Sequence, residues 1–148
     1  MILTTSRKPS RKTRSFAKAL SRFLNWKYIQ RGKMSLKDFE NEKICLISEI
    51  KGNPAFLSFY EGDKKTLELF FSVSNIKKSD IERGEVVYFG EKYNFFNAIS
   101  SKLLEKFDKR PYFRKRIVER DNELYFYFLD ELIFKMRIFE VKRSDQNP

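Results

Sequence analysis

The sequence contains no histidine, and Cys45 is its only cysteine. Because histidine is the side chain that most often exchanges protons near neutral pH, its absence excludes histidine-based catalysis. A lone cysteine excludes an intramolecular disulfide framework, and the missing histidine excludes the common zinc-site spacings. We therefore expect a protein of a reducing, intracellular environment that needs no metal or other cofactor, with Cys45 packed as a small hydrophobic residue.

Long hydrophobic runs are also absent. The longest covers residues 124–129 and is separated from the apolar residues 132–134 by Asp130 and Glu131, whereas a membrane-spanning helix needs about 20 apolar residues. The N-terminus becomes basic after Thr5, so it lacks the apolar segment of a signal peptide. The sequence thus predicts a soluble, cytoplasmic protein with no membrane partner.

Acidic residues are missing from the first quarter of the chain. Eleven of the 31 basic residues lie between Thr4 and Asp38, and no acid precedes Asp38. The other basic residues balance the 20 acidic ones, so the net charge of +11 belongs to this stretch. A positive field concentrated in this way is typical of a surface that binds a polyanion such as RNA.

The basic stretch is predicted to form a strand at 2–5 and a helix at about 10–24. The helix has one apolar stripe, because its large apolar residues recur at the spacing of a helical face. The stripe consists of Phe16, Ala19, Leu20, Phe23 and Leu24, and the opposite face carries Arg11, Arg14, Lys18 and Arg22. The apolar stripe is expected to face a core and the basic face to meet solvent or a ligand.

The start of this helix is predicted to bind phosphate. Cations oppose the positive end of a helix dipole, and no acid lies nearby in the sequence to compensate them. Free backbone N–H groups, hydroxyls and arginine side chains together suit a phosphate group. The residues concerned are Ser6, Arg7, Lys8, Ser10, Arg11, Lys12, Thr13 and Arg14. A solvated basic surface is the alternative interpretation.

Two further features complete the basic stretch. A strand at 26–29 leads into the basic turn 31–33, where Gly32 could let a backbone approach closely. Trp26 and Tyr28 could stack on bases or pack in the core. A short helix is predicted to begin after Ser35, with Asp38 completing its capping box.

The pattern of the remaining sequence is typical of a β-rich domain. A length of 148 residues suits one domain with its own core. Strands are predicted at 44–50, 56–60, 66–73, 86–89, 114–120, 124–129 and 132–141. The first three form a meander, in which alternation places Leu67, Leu69, Phe71 and Val73 on the core face. A polar linker at 75–84 is predicted to carry a short helical turn. A second amphipathic helix is predicted at about 93–107, and its echo of the first helix suggests an internal duplication.

A second basic cluster surrounds two aromatic residues. It consists of Lys109, Arg110, Tyr112, Phe113, Arg114, Lys115 and Arg116. The cluster could make a second contact with nucleic acid. A solvated surface is the stronger interpretation here, because Glu119, Asp121 and Glu123 lie close by in the sequence.

Three segments of the basic stretch carry a family resemblance. They are 4–10, 13–16 and 31–36 with Asp38, which read TTSRKPS, TRSF and RGKMSL. Together they resemble the N-terminal signature of the Brix domain superfamily, and more narrowly its short archaeal members related to a small-subunit processome component. Beyond residue 40 the agreement is in length and element order, and the family's Gly-Pro-Arg-Phe motif is degraded to DELIFK at 130–135.

The resemblance implies a single Brix domain over 1–148. Its α/β fold would be a mixed β-sheet with packed helices, in two similar halves of about 1–74 and 75–143. Each half would resemble the anticodon-binding domain of class IIa aminoacyl-tRNA synthetases. The implied function is ribosome biogenesis: binding ribosomal RNA or its precursor and assisting its folding and processing, without catalysis. Other assembly factors or ribosomal proteins are further implied partners, and no small-molecule substrate is implied.

The matched basic residues are the RNA-binding candidates that the resemblance supplies: Arg7, Lys8, Arg14, Arg31 and Lys33. Arg11 and Lys12 occupy variable positions of the signature and are included for their charge alone. The complete predicted RNA-binding set is Ser6, Arg7, Lys8, Ser10, Arg11, Lys12, Arg14, Lys18, Arg22, Arg31, Gly32 and Lys33.

The sequence leaves two other functions possible. One is a structural ribosomal component or protein-interaction module that uses RNA only as a scaffold. The other is a metal-dependent RNA-processing enzyme, which would need clustered carboxylates. The acids available for such a cluster are Asp121, Glu123, Asp130 and Glu131, which adjoin predicted turns, where acids occur for solvation alone.

Overall fold

A mixed β-sheet of ten strands, crossed by one long helix, is the framework of the computed structural model. The structure describes residues 1–39, 42–78, 80–105 and 113–144. In chain order the elements are β1 (Ile2–Thr5), α1 (Arg11–Leu24), β2 (Lys27–Tyr28), a 3-10 turn (Leu36–Phe39), β3 (Lys43–Ile50), β4 (Asn53–Glu61), β5 (Lys64–Ser74), β6 (Val86–Phe89), β7 (Ile99–Ser100), α2 (Ser101–Glu105), β8 (Lys115–Arg120), β9 (Glu123–Phe128) and β10 (Glu131–Arg143). No helix in these ranges is long and apolar enough to cross a membrane.

The strand order is β2-β1-β3-β4-β5-β10-β9-β8-β6-β7. On one side β1 runs parallel to β2 and β3, and β3, β4 and β5 form an antiparallel meander. On the other side β6 runs parallel to β7 and β8, and β8, β9 and β10 form a second meander. The two sides meet at the antiparallel pair β5 and β10, so the same pattern of directions repeats outward from the centre. The predicted mixed α/β architecture is confirmed.

The N-terminal elements agree closely with the sequence. Helix α1 begins after Ser10, whose side chain accepts a hydrogen bond from the Thr13 N–H, as expected of an N-cap serine. It ends at Asn25, which adopts a left-handed φ of 61° that stops the helix. The predicted meander and the C-terminal strands also form, with bounds that differ from the predicted ones by a few residues.

The apolar stripe of α1 packs on one face of the sheet, against the two central strands β5 and β10 and against β9. The ring of Phe16 lies 5.5 Å from that of Phe71 on β5 and 5.4 Å from that of Phe134 on β10. About two turns further on, Phe23 lies 5.2 Å from Phe126 on β9. These rings are fully buried, and such pairs contribute about 0.5–1.5 kcal/mol each beyond area burial. One helix therefore joins the two meanders, and the prediction that its apolar stripe faces a core is confirmed.

The second long helix, predicted at 93–107, is wrong over 93–100 and is confirmed only over 101–105. The chain instead forms a turn at 93–98, the short strand β7 and then the five-residue α2; residues 106 and 107 lie outside the described ranges. Asn94 explains the change, because its side chain accepts from the Ala98 N–H at 3.0 Å and donates to the Ala98 carbonyl at 2.8 Å. These bonds replace helical backbone bonds, and Asn97 adds a left-handed φ of 56°.

Phe96 was predicted to lie on the apolar stripe of this helix, but it is buried in the main hydrophobic core. Its ring lies 6.0 Å from Trp26 and 5.8 Å from Phe126. The helical turn predicted within 75–84 is also wrong over the described residues 75–78 and 80–84, which have no regular structure. The Lys77 N–H instead donates to the Ile133 carbonyl at 2.8 Å, which holds this segment beside β10.

Lys115 links β8 to the end of α1. Its side chain is buried, and its ammonium donates to the carbonyls of Arg22 and Phe23 at 3.1 and 3.0 Å and to Asn25 Oδ1 at 2.8 Å. A cation at the C-terminus of a helix is favourable, because the last carbonyls have no partner within the helix. These hydrogen bonds connect the second meander, which contains β8, to helix α1, which precedes the first meander.

Candidate nucleic-acid interface

The basic face of α1 lines an open groove of about 700 Å³, which we call the helix groove. One wall is the helix and the other is the segment after β5, with Tyr28 and Gln30 between them. The lining residues are Arg11, Arg14, Ser15, Lys18, Ala19, Arg22, Tyr28, Gln30, Ile76, Lys77, Lys78, Asp80 and Ile81. Six of these side chains are basic and one is acidic.

A second cavity of about 570 Å³, the turn basin, adjoins the start of α1. It is lined by Arg7, Lys8, Pro9, Arg14, Gln30, Arg31, Gly32 and Lys33. The basin therefore contains five cations and no acid. Because Arg14 and Gln30 also line the helix groove, the two cavities adjoin and form one basic groove along α1.

The cations of this basic groove have few acidic partners. Among the residues that the structure describes, eight ion pairs have a nitrogen and an oxygen within 4.0 Å, and none involves a cation of 7–37. Lys77 is the groove residue that is paired, at 3.7 Å from Glu131. Burial, followed by the charge of Arg7, holds the pKa of Arg31 below its usual value. Unbalanced like charges attract a polyanion strongly.

The sequence suggested that no acid compensates the positive charge at the start of α1. This expectation is wrong, because the carboxylate of Glu49 on β3 accepts hydrogen bonds there. The Ser10 N–H donates to both Glu49 oxygens at 3.2 Å, and the Thr13 hydroxyl donates to Oε2 at 2.8 Å. Burial alone would raise the pKa of Glu49, but these hydrogen bonds outweigh it and the pKa lies below its usual value. The anion predicted at this end of α1 is thus a carboxylate of the protein itself.

Nine of the twelve predicted RNA-binding residues line the two cavities. The exceptions are Ser6, Ser10 and Lys12. Ser10 donates its hydroxyl hydrogen to the Gly52 carbonyl at 2.7 Å, and Lys12 Nζ donates to Asn53 Oδ1 at 3.2 Å. Ser6 is half-buried and its N–H donates to the Ile47 carbonyl.

The basic turn 31–33 is held in place by Arg31. Its guanidinium donates to the carbonyls of Met34 at 2.8 Å and Thr5 at 3.2 Å. Gly32 has a φ of 52°, a backbone conformation that side chains with a Cβ rarely adopt. The surrounding space is open, so the glycine serves the turn itself, and Arg31 has a structural role besides its charge.

The two aromatic candidates of this stretch have different surroundings. Trp26 is half-buried and packs against the core, 6.3 Å from Phe59 and 6.0 Å from Phe96 between ring centroids. Tyr28 is half-buried and lines the helix groove; burial raises its pKa, and Arg14 partly opposes the rise. Of the two rings, only that of Tyr28 lines the groove.

Three groove residues were missed by the sequence analysis. Gln30 lies at the junction of the two cavities and offers an amide that can donate and accept hydrogen bonds. Lys77 and Lys78 form the far wall of the helix groove. The Lys-Lys pair was a visible signal, but its position depends on the bond to Ile133 in a distant strand.

Over its described residues the second basic cluster does not form one surface. Lys115 is buried, so it belongs neither to a possible RNA contact nor to the solvated surface that the sequence favoured; Arg114 pairs with Glu82, and Arg116 lies 3.5 Å from Asp130. Lys109, Arg110 and Tyr112 lie outside the described residues. The acids of the enzyme hypothesis are also dispersed, with Glu123 paired to Lys135 and Glu131 to Lys77. Over the described ranges, no three potential metal ligands come together.

Curated archaeal proteins match the sequence along its whole length. A probable Brix domain-containing ribosomal biogenesis protein of Archaeoglobus fulgidus is 45% identical, over 98% of this chain and 99% of the relative. One of the same description from Methanococcoides burtonii is 32% identical, over 93% of this chain and 94% of the relative. No protein-family model matches the sequence.

Two solved structures share the fold. An archaeal Imp4-like protein called Mil superposes with a TM-score of 0.78 at 28% identity, over 97% of this chain and 99% of Mil. A probable ribosomal biogenesis protein of Aeropyrum pernix superposes with a TM-score of 0.62 at 18% identity, over 98% of this chain and 96% of the other. The second likeness concerns the fold alone.

Proposed function

Because the chain belongs to the Brix domain-containing ribosomal biogenesis proteins, we propose that it binds ribosomal RNA or its precursor in the basic groove along α1. The protein assists the folding and processing of that RNA and has no catalytic activity of its own. One observation carries the proposal: cations from three separate loop segments and one helix face line adjoining cavities that contain a single acid, Asp80.

The arrangement fits an RNA backbone better than a small anion. The cations extend along both cavities instead of converging on one point, so successive phosphates can each meet a Lys or Arg side chain. Contacts of this kind give affinity and orientation without reading sequence. Sequence preference would come from Tyr28, whose ring can stack on an unpaired base, and from the Gln30 amide, which can bond to a base edge.

The repeated strand order supports a finer proposal about domain organisation. We propose a single Brix domain over 1–148 with two related halves, about 1–74 and 75–143, each similar to the anticodon-binding domain of class IIa aminoacyl-tRNA synthetases. In this proposal β6 to β10 correspond to β1 to β5, and the turn at 93–98 occupies the place of α1. The helix of the first half then covers both halves.

The proposed setting is the cytoplasm, where archaeal ribosomes are assembled. Other assembly factors or ribosomal proteins are proposed partners alongside the RNA. Their binding surfaces would lie outside the basic groove, where the described residues carry both signs of charge, as the seven ion pairs without a groove residue illustrate.

Sedimentation of cell extracts tests the proposed role in assembly. We expect the tagged protein to travel with precursor particles and immature ribosomal RNA, and to be absent from mature ribosomes, because an assembly factor leaves its product. Stoichiometric presence in mature ribosomes would instead identify a structural component. Sedimentation away from every ribosomal particle would contradict both roles. A ribosomal protein tagged in the same way is the control for retention in mature particles.

A further inference from the structure

The face of the sheet opposite α1 is aromatic, and no helix of the described residues covers its tyrosines. Along β9, Leu124, Phe126 and Phe128 are buried on the side of the helix, whereas Tyr125 and Tyr127 alternate with them and are half-buried. In the described parts of the chain, α1 contacts the buried face and α2 packs at β6 and β7. The two tyrosine rings therefore lie on a face that neither helix covers.

The two tyrosines and the cations over their rings form a surface that we call the tyrosine platform. Their rings are nearly parallel, at 14°, with centroids 6.5 Å apart. The guanidinium of Arg116 lies 5.3 Å from the Tyr127 ring and that of Arg120 lies 5.4 Å from the Tyr125 ring. Lys135 of β10 lies 5.8 Å from the Tyr125 ring. Aromatic faces are thus combined with positive charge across three neighbouring strands.

The charge of this surface favours an anionic partner. Its strand positions carry four cations, Arg116, Arg120, Lys135 and Arg137, against one acid, Glu123. Glu123 pairs with Lys135 at 2.9 Å, and Asp130 of the adjoining turn pairs with Arg116. Within the described residues, Arg120 and Arg137 have no carboxylate within 4.0 Å. An apolar protein surface would have to bury these charges without compensation.

We propose that the tyrosine platform stacks unpaired bases of the RNA, as a second contact on the opposite side of the sheet from the basic groove. This inference rests on the proposed function of RNA binding. A tyrosine ring with an arginine over it suits a nucleotide, since a base can stack on the ring or on the guanidinium plane and the cation can meet the phosphate. Paired RNA hides the faces of its bases, so the partner is a single-stranded loop or end.

The aromatic surface continues toward the centre of the sheet. Phe139 of β10 is 52% exposed, and its ring lies 5.2 Å from that of Phe70 on β5. The guanidinium of Arg137 lies 5.8 Å from the Phe139 ring. An unpaired strand that leaves the platform can therefore meet a further ring and cation on the same face.

The test follows the tyrosine rings directly in the full-length protein. The ring proton signals of Tyr125 and Tyr127, assigned with Tyr125→Phe and Tyr127→Phe, are recorded during titration with a uridine hexanucleotide. An abasic hexamer with the same phosphates is the matched ligand. We expect both ring signals to shift with the uridine ligand and to stay in place with the abasic one, because stacking needs a base.

A variant checks the energetic importance of the stacking. Tyr125→Leu with Tyr127→Leu keeps apolar side chains but removes the flat rings, and we expect about tenfold weaker binding of an unpaired RNA that spans both faces. The corresponding double phenylalanine variant should bind that RNA like the unaltered protein, and thermal melting verifies the fold of each variant.

Three outcomes separate this inference from the proposed function. If neither hexamer perturbs any residue of the protein, the proposal of RNA binding fails. If the groove residues respond while the tyrosine signals stay unchanged, the platform proposal alone is overturned. If the leucine variant retains full RNA affinity, the platform is a protein-docking or structural surface, and the inference is likewise overturned.

Discussion

Replacing Arg7, Arg14 and Lys18 together with alanine is expected to weaken the binding of single-stranded RNA roughly 10²-fold at ~0.1 M salt. All three cations are exposed: Arg7 lines the turn basin, Lys18 the helix groove and Arg14 both, and none has a carboxylate within 4.0 Å in the described chain. Taking about 1 kcal/mol for each charge-assisted contact at an exposed site gives this factor. Titration of a labelled oligonucleotide measures it.

A charge-matched control distinguishes the groove from net charge. Lys27, Lys64 and Lys92 are exposed and line neither cavity, so their replacement with alanine removes the same charge at other places. We expect only a few-fold loss of affinity for this control. Both triple variants should melt within a few degrees of the unaltered protein. Equal losses for the two variants would contradict binding in the groove.

Replacing Lys115 with methionine is expected to lower the free energy of unfolding by about 2–4 kcal/mol. Methionine keeps much of the volume but leaves the carbonyls of Arg22 and Phe23 and the Asn25 oxygen without their donor. Hydrogen bonds to a charged group and a cation at a helix C-terminus each contribute on the order of 1–3 kcal/mol. Denaturant unfolding measures the loss. Lys64→Met, at an exposed position, should change stability by less than about 0.5 kcal/mol.

The pH dependence of the Lys115 contribution has a defined sign. Burial, followed by the charge of Arg83, lowers the pKa of Lys115 to about 8 from its ordinary value of 10.5. Between these values the unfolded chain binds more protons than the folded one, so the contribution of this residue to stability rises with pH. The difference in unfolding free energy between the unaltered protein and Lys115→Met should therefore widen from pH 8 to pH 10. A difference that narrows over this range would contradict the buried site.

The sequence predicts best where local pattern and tertiary structure agree. The stripe of α1 could be read from its period because Phe16 and Phe23 are core residues at helical spacing. The first meander could be read from its turn residues and alternation. The predicted helix at 93–107 had the same period, but the side-chain bonds of Asn94 and the burial of Phe96 override it.

Contacts between distant parts of the chain account for what the sequence did not reveal. Glu49 accepts a hydrogen bond from Ser10, which lies 39 residues earlier in the chain. Local sequence around the start of α1 therefore could not reveal that a carboxylate compensates it. Lys115 looked like part of a surface cluster, yet it reaches the α1 carbonyls some 90 residues earlier. Nine of the predicted RNA-binding residues do share one groove, because they follow one another on the loop after β1, on α1 and on the turn after β2.

The salt dependence of RNA binding tests the central claim most directly. If about six groove cations contact phosphates, the logarithm of the association constant for single-stranded RNA should fall against the logarithm of salt concentration with a slope near −4, at ~0.7 per contact. The variant with alanine at Arg7, Arg14 and Lys18 should lose about 2 of that slope, for the same reason. A slope near zero for the unaltered protein would contradict RNA binding through the basic groove.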